Sequence, residues 1–195
     1  MSDEFDEALR RIGEEWNKAE TAIKLAEQVN GKIVNPAIYE LRYAGRKIVE
    51  AREIHDADPH RAGELLRDSM MDCLRARHDA VDAATSKITA DLDIAVHTLG
   101  AKTVLSCFPE WSDMYEAVCA VKEKIAVSRA NRTDREAIYA TIEAVDLTAL
   151  VSRYNRFKGS EPLLKKSAQR ERLHLVAGYG IGIVGLIFGL ICLIA

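Results

Sequence analysis

Apolar residues recur at intervals of three and four along most of the chain, the spacing that lines one face of an α-helix. In the first segment Phe5, Leu9, Ile12, Trp16, Ala19, Ile23 and Ala26 make a heptad seam, which predicts a helix from about Asp3 to Val29. Asn30-Gly31 supplies its C-terminal stop. Asn35-Pro36 reads as an N-cap followed by proline at the first helical position. The second helix then extends to about Ile54, with Ile38, Leu41, Gly45 and Ile48 on one face. Asp58-Pro59 repeats the start signal and opens a stretch through Leu65, Met70, Leu74, Val81, Ile88, Leu92 and Leu99. Unbroken to Ser106 that stretch would measure about 70 Å, so a break or kink is expected near Thr85-Ser86 or Gly100. Pro109 begins a helix carrying Trp111, Tyr115, Val118 and Ile125. Thr133 with Glu136 reads as a capping box, opening a helix with Ile138, Ile142, Val145 and Ala149 inward. Lys158-Gly159-Ser160 is the clearest linker, and Glu161-Pro162 starts a final helix.

From Leu173 the pattern changes. The last 23 residues are LHLVAGYGIGIVGLIFGLICLIA, with His174 the one side chain that ordinarily gains charge near neutral pH and no polar face. As a helix this segment measures about 35 Å, enough for a hydrocarbon layer of about 30 Å. A transmembrane helix over 173–195 is therefore expected. Lys165, Lys166, Arg170 and Arg172 precede it and no charge follows, so the positive-inside rule places the N-terminal part in the cytoplasm as a tail-anchored, single-pass topology. His174 marks the headgroup level. Gly178, Gly182, Gly185 and Gly189 are spaced four, three and four apart, and Cys192 and Ala195 continue the series. Small residues on one seam let helix backbones approach closely in lipid, so these four glycines are the expected self-association face.

Composition agrees with helices. Only 6% of residues are aromatic, the prolines number four, and five of the eleven glycines lie in the tail. The expected fold class is all-α: a cytosolic bundle of five or six helices over 1–158, a basic juxtamembrane linker or helix over 159–172, and the span over 173–195. Net charge is -3, and residues 1–160 carry 23 basic against 28 acidic side chains. An acidic domain has no general attraction for phosphate backbones, so nucleic acid is not an expected partner. The cysteines Cys73, Cys107, Cys119 and Cys192 show no CxxC spacing, and the acidic N-terminus is no secretory signal.

Motifs that carry chemistry are missing: no Walker loop, no dinucleotide glycine fingerprint, no HExxH and no GxSxG. Helical nucleases of the HEPN type leave four to six residues between an arginine and a following histidine. Arg170 to His174 falls one residue short of that spacing. His55, Asp56, Asp58 and His60 form the densest polar cluster, but Asp58 serves as a cap and the cluster reads as an interhelical loop, so no metal ligand and no cofactor is assigned. On the second helix Tyr39, Arg42, Tyr43, Gly45 and Arg46 share a stretch that mixes aromatic and basic groups. Arg42 and Arg46 are the candidate contacts for a small anionic ligand, and Gly45 marks a close approach by a neighbouring helix or a ligand.

Phe5 to Asn17, FDEALRRIGEEWN, resembles the third homology segment of the B-cell lymphoma family of apoptosis regulators. Its four apolar residues at 4, 3 and 4 spacing are matched by Phe5, Leu9, Ile12 and Trp16, and the small residue and acid by Gly13 and Glu14. The resemblance covers 13 residues and lacks that family's Asn-Trp-Gly-Arg segment and apolar central hairpin. It implies an all-α, often tail-anchored protein that permeabilises membranes by oligomerising.

These features together predict a non-enzymatic, tail-anchored effector of the cell-death or antiviral-defence type. Its helical domain would control self-assembly of the glycine-faced tail to perturb or permeabilise the bilayer. The alternative is a membrane-tethered scaffold whose bundle binds a cytosolic protein. The expected partners are the lipid bilayer, further copies of the chain, and a cytosolic protein or small anion.

Overall fold

The computed structural model describes the backbone of residues 2–131 and 133–194, with side chains described for 4–131, 133–174 and 176. The described residues are all-helical. Helices α1 (Ser2–Asn30), α2 (Asn35–Ile54), α3 (Pro59–Leu99), α4 (Ala101–Cys107), α5 (Trp111–Ala130) and α6 (Arg135–Thr141) are followed by a π-helical turn (Ile142–Leu147) and α7 (Thr148–Ile194). The last three run on as one rod, so the described residues form six helical rods.

Helix α3 is the spine. At 41 residues it is about 60 Å long; α1 and α2 run along it from its N-terminal end, and α5, α6 and α7 meet it from Arg77 onward. The first half is built from alanine: Ala19, Ala26, Ala37, Ala44, Ala76 and Ala80 are all fully buried. Small side chains bring the axes close, and Ser69 Oγ accordingly donates to the Ala44 carbonyl across the α2–α3 seam at 3.0 Å. The second half is filled by larger groups, among them Val104, Met114, Val118, Ile142, Leu147, Phe157 and Leu164. Helix α1 lies parallel to α3: Phe5 reaches the cleft at the α3 start, while Tyr154 of α7 bonds both the Val29 carbonyl and Asp91.

The heptad seam of α1 is realised, with Phe5, Ile12, Ala19, Ile23 and Ala26 buried against the spine. Gly31 terminates α1 at φ +65°, a conformation that only glycine adopts without strain. Asp58 caps α3, accepting from the Arg61 amide at 2.9 Å. Of the two break points expected in the long stretch, Gly100 is the one used, at φ +85°. The helix passes straight through Thr85-Ser86, where the Thr85 hydroxyl bonds back to the Val81 carbonyl and stays inside the helix.

Five expectations are corrected. Asn35 is the first residue of α2 and Val34 occupies the cap position, with no side-chain cap bond. The inward face of α2 is Ala37, Leu41, Ala44 and Ala51, so Ile38 points outward. The Thr133–Glu136 capping box does not form, because Glu136 is drawn to Arg77 and His78 of α3 instead. Val145 and Ala149 face solvent, since the π turn inserts one residue and moves the buried positions to Ile142, Leu147, Leu150 and Val151.

The largest correction concerns Lys158-Gly159-Ser160, which is helix and not linker. Phe157 and Leu164 are buried on either side of it, Lys158 is held by Glu161 at 2.7 Å, and Ser160 Oγ donates to the Phe157 carbonyl. This packing carries the chain through Pro162, which by itself costs a helix about 3 kcal/mol. Docking continues past it: Ala168 is buried, Thr103 donates to Glu171 at 2.6 Å, and Arg172 donates to the Thr98 carbonyl at 3.0 Å.

Among the described residues no helix is long and apolar enough to cross a membrane. The span expected over 173–195 lies almost wholly outside the described side chains. Its backbone continues α7 to Ile194.

Candidate functional site

Two features stand out, one closed and one open. The closed one centres on Arg77, which lies on the apolar seam of α3 between Cys73 and Ala80 and is 2% exposed. A buried guanidinium is tolerated only when its donors are taken. Here Nε meets Glu143 at 2.6 Å, Nη1 meets Glu136 at 2.6 Å, and Nη1 also contacts Glu15. Three segments, α1, α6 and the π turn, are thereby fixed to the spine, and the π turn is what delivers Glu143 to the cation.

The surrounding groups extend the network. His78 stacks on Tyr139 with centroids 3.8 Å apart and meets Glu136 at 3.3 Å. The Tyr139 hydroxyl donates to Asp82, which also pairs with Arg129 at 2.6 Å. Burial raises the Glu143 pKa above the usual carboxylate value, an effect Arg77 only partly offsets. Burial acts on Glu136 as well, but His78 and Arg77 outweigh it and the pKa is lowered. The Cys73 thiol beside this centre is pushed up to about 12, first by burial and then by Glu15 and Asp72, which leaves it unreactive as a nucleophile. The centre is structural: its cation is enclosed and met by three carboxylates, while His78 Nε2 and Glu136 Oε2 beside it lie 3.3 Å apart without a hydrogen bond.

The open feature is a cleft of about 750 Å³ at the far end of the spine, between the start of α1, the α2–α3 loop and the first turns of α3. Its floor is apolar, formed by Phe5, Ile12, Leu66 and Met70. The volume falls in the range of about 300–1,000 Å³ that holds small ligands. Phe5 lies against His55 with centroids 3.9 Å apart and the rings tilted by 30°, and Arg52 lies over the Phe5 ring at 5.9 Å. His55 Nδ1 is enclosed without a hydrogen-bond partner. Arg11 and Arg67 stand on the rim outside any ion pair among the described residues, and Glu4 is the one acid lining the cleft.

The residues singled out in the sequence fall elsewhere. Arg42 and Arg46 are exposed on the outer face of α2 beside Tyr39 and Tyr43, and line none of the cavities described here. Gly45 admits a neighbouring helix: a Cβ there would sit 3.4 Å from the Trp16 ring. His60 lies 3.9 Å from Glu64 on the cleft rim, and among the described residues no group of three or more His, Cys, Asp or Glu is placed to hold a metal ion. Lys165, Lys166 and Arg170 are exposed along α7, and Lys165 comes within 3.9 Å of Glu161. Gly178, Gly182, Gly185 and Gly189 lie outside the described side chains, on the helical backbone of α7. Sequence reasoning missed both the cleft and Arg77, although a lone arginine on an alanine-rich seam was a visible signal of the latter.

Compared with known proteins, the chain matches no family model, no curated protein and no solved structure. The resemblance of Phe5–Asn17 to an apoptosis-regulator segment thus has no support beyond those residues, and its apolar positions are used in packing α1 onto α3.

Proposed function

We propose that the chain is a tail-anchored membrane effector in which the helical bundle governs how the apolar tails assemble and perturb the bilayer. The reading rests on one observation, the register of α7. The positions facing the bundle run 147, 150, 154, 157, 161, 164, 168 and 171, alternating by three and four, and every one is buried or half-buried. Continuing the same alternation gives 175, 178, 182, 185, 189 and 192, which are Leu175, Gly178, Gly182, Gly185, Gly189 and Cys192. The glycine seam is the docking seam prolonged, drifting by about 20° per heptad. Because no flexible linker intervenes, rotation or release of α7 in the bundle would be transmitted to the tail.

In this reading the bundle is cytoplasmic, the basic residues Lys165, Lys166, Arg170 and Arg172 sit at the headgroups, and the partners are lipid and further copies of the chain. The test is expression of the full chain in cells while following growth and dye entry. Replacing Gly182 and Gly185 by leucine abolishes leakage and cross-linked oligomers, and truncation after Arg172 keeps the bundle folded but removes activity. A scaffold would keep its function with the leucines or with an unrelated anchor. Absence of leakage under every inducing condition overturns the proposal.

A further inference from the structure

The geometry points to the cleft at the start of α1 and α3 as a binding site for a single-chain anionic amphiphile, a carboxylate or phosphate carried on an alkyl body. The floor formed by Phe5, Ile12, Leu66 and Met70 is apolar, so the body of the occupant is apolar. The rim supplies the sign. In a protein of net charge -3, Arg11 and Arg67 stand here in no ion pair among the described residues, and Arg52 lies over the Phe5 ring beside them. A guanidinium fork recognises carboxylate and phosphate oxygens in two-point fashion.

Gly63 indicates that the opening is kept. It lies in the second turn of α3, where glycine costs roughly 1 kcal/mol against alanine. Gly45 has a packing reason in Trp16, but Gly63 has none. A Cβ there would meet only the Arg67 guanidinium, at 3.7 Å, an ordinary contact. What a larger side chain at 63 would do is fill the cleft.

The source of the amphiphile follows from position. Leu66 lies about 50 Å along α3 from Thr98, where Arg172 docks and α7 leaves the bundle in the same direction as the spine. If the tail inserts as proposed above, the cleft faces away from the bilayer and takes a free amphiphile in place of a membrane headgroup. Only this choice of source rests on the membrane reading.

The full chain, in phosphatidylcholine nanodiscs, is photolabelled with a diazirine derivative of dodecanoic acid and the labelled peptides are mapped by mass spectrometry. Label is expected on the peptides holding Phe5 and Met70-Met71, competed by dodecanoate and dodecyl phosphate but not by dodecyltrimethylammonium. Arg11→Gln with Arg67→Gln lowers cleft labelling about tenfold or more, the loss of two charge-assisted contacts. Gly63→Leu abolishes it with an unchanged or higher melting temperature, which separates a filled site from an unfolded one. Equal competition by the cationic amphiphile, labelling that survives Gly63→Leu, or labelling that appears only with phosphatidylglycerol discs overturns the inference. So does displacement by an amphipathic peptide alone. Tail glycine variants leave cleft labelling unchanged, so this result and the leakage result fail independently.

Discussion

The Arg77 centre and the Phe5–His55 cleft lie on the same spine and use the same chemistry to opposite ends. At the centre one guanidinium, 2% exposed, is enclosed by three carboxylates from three segments. In the cleft the cations outnumber the acids and a helical glycine holds space open. His55 Nδ1 there is enclosed without a hydrogen bond, as are His78 Nε2 and Glu136 Oε2 at the centre, but His55 borders an open cavity. A polar group that is buried and satisfied fixes a fold, whereas one left unsatisfied beside an apolar cavity withholds stability that an occupant could recover.

That contrast is open to direct tests by unfolding. The largest effect is expected at the centre. Arg77→Met leaves Glu15, Glu136 and Glu143 facing one another and lowers the unfolding free energy by about 3–5 kcal/mol, measured by denaturant titration. Converting the three glutamates to leucine in the same variant recovers most of the loss. A loss below about 1 kcal/mol for the single change would show that the centre is not what ties α6 and the π turn to the spine.

The cleft responds in the opposite direction. His55→Phe keeps the ring contact with Phe5 and removes the enclosed, unpartnered Nδ1, so stability rises by about 1 kcal/mol. Gly63→Ala raises it by roughly 0.5–1 kcal/mol, while Gly45→Ala gains little because its new methyl meets Trp16. Equal melting temperatures for the two alanine variants would remove the distinction between a packing glycine and a cavity glycine.

The smallest effect belongs to Asp79, half-buried on α3 near the centre. Burial, reinforced by Asp82, raises its pKa above the ordinary 3.8, so the folded protein holds that proton more tightly than the unfolded chain. The cost of its charge is present above the raised value and absent below 3.8. Asp79→Asn therefore raises the melting temperature by about 1–2 °C at pH 7, and the gain vanishes near pH 3.5 in parallel thermal scans. A gain that persists at low pH would assign the effect to hydrogen bonding and not to charge.

Helices are local objects, and much of this one was readable locally. The heptad seam from Phe5 to Ala26, the stop at Gly31, the cap at Asp58 and the break at Gly100 depend on backbone conformation and on neighbours within a turn. The errors came where distant residues outbid local preference. Glu136 leaves its capping role for Arg77, 59 positions away in the chain. The π turn at 142–147 shifts the inward face so that Val145 is exposed and Leu147 buried. Lys158-Gly159-Ser160, polar and glycine-bearing, becomes helix because Phe157 and Leu164 are packed on both sides of it.

The sequence alone therefore determined the all-helical class, most helix boundaries in the first half of the chain, and the four-three-four spacing of the tail glycines. Periodicity and capping are short-range properties, legible without a partner. Only the tertiary structure decided that α7 is continuous through Pro162, that Arg77 is the hub joining α1, α6 and the π turn, and that Arg11, Arg67 and Gly63 border one cleft while Arg42 and Arg46 do not. Each of those depends on which faces of separate helices meet, and the burial and charge compensation behind such meetings are set by residues remote in the chain.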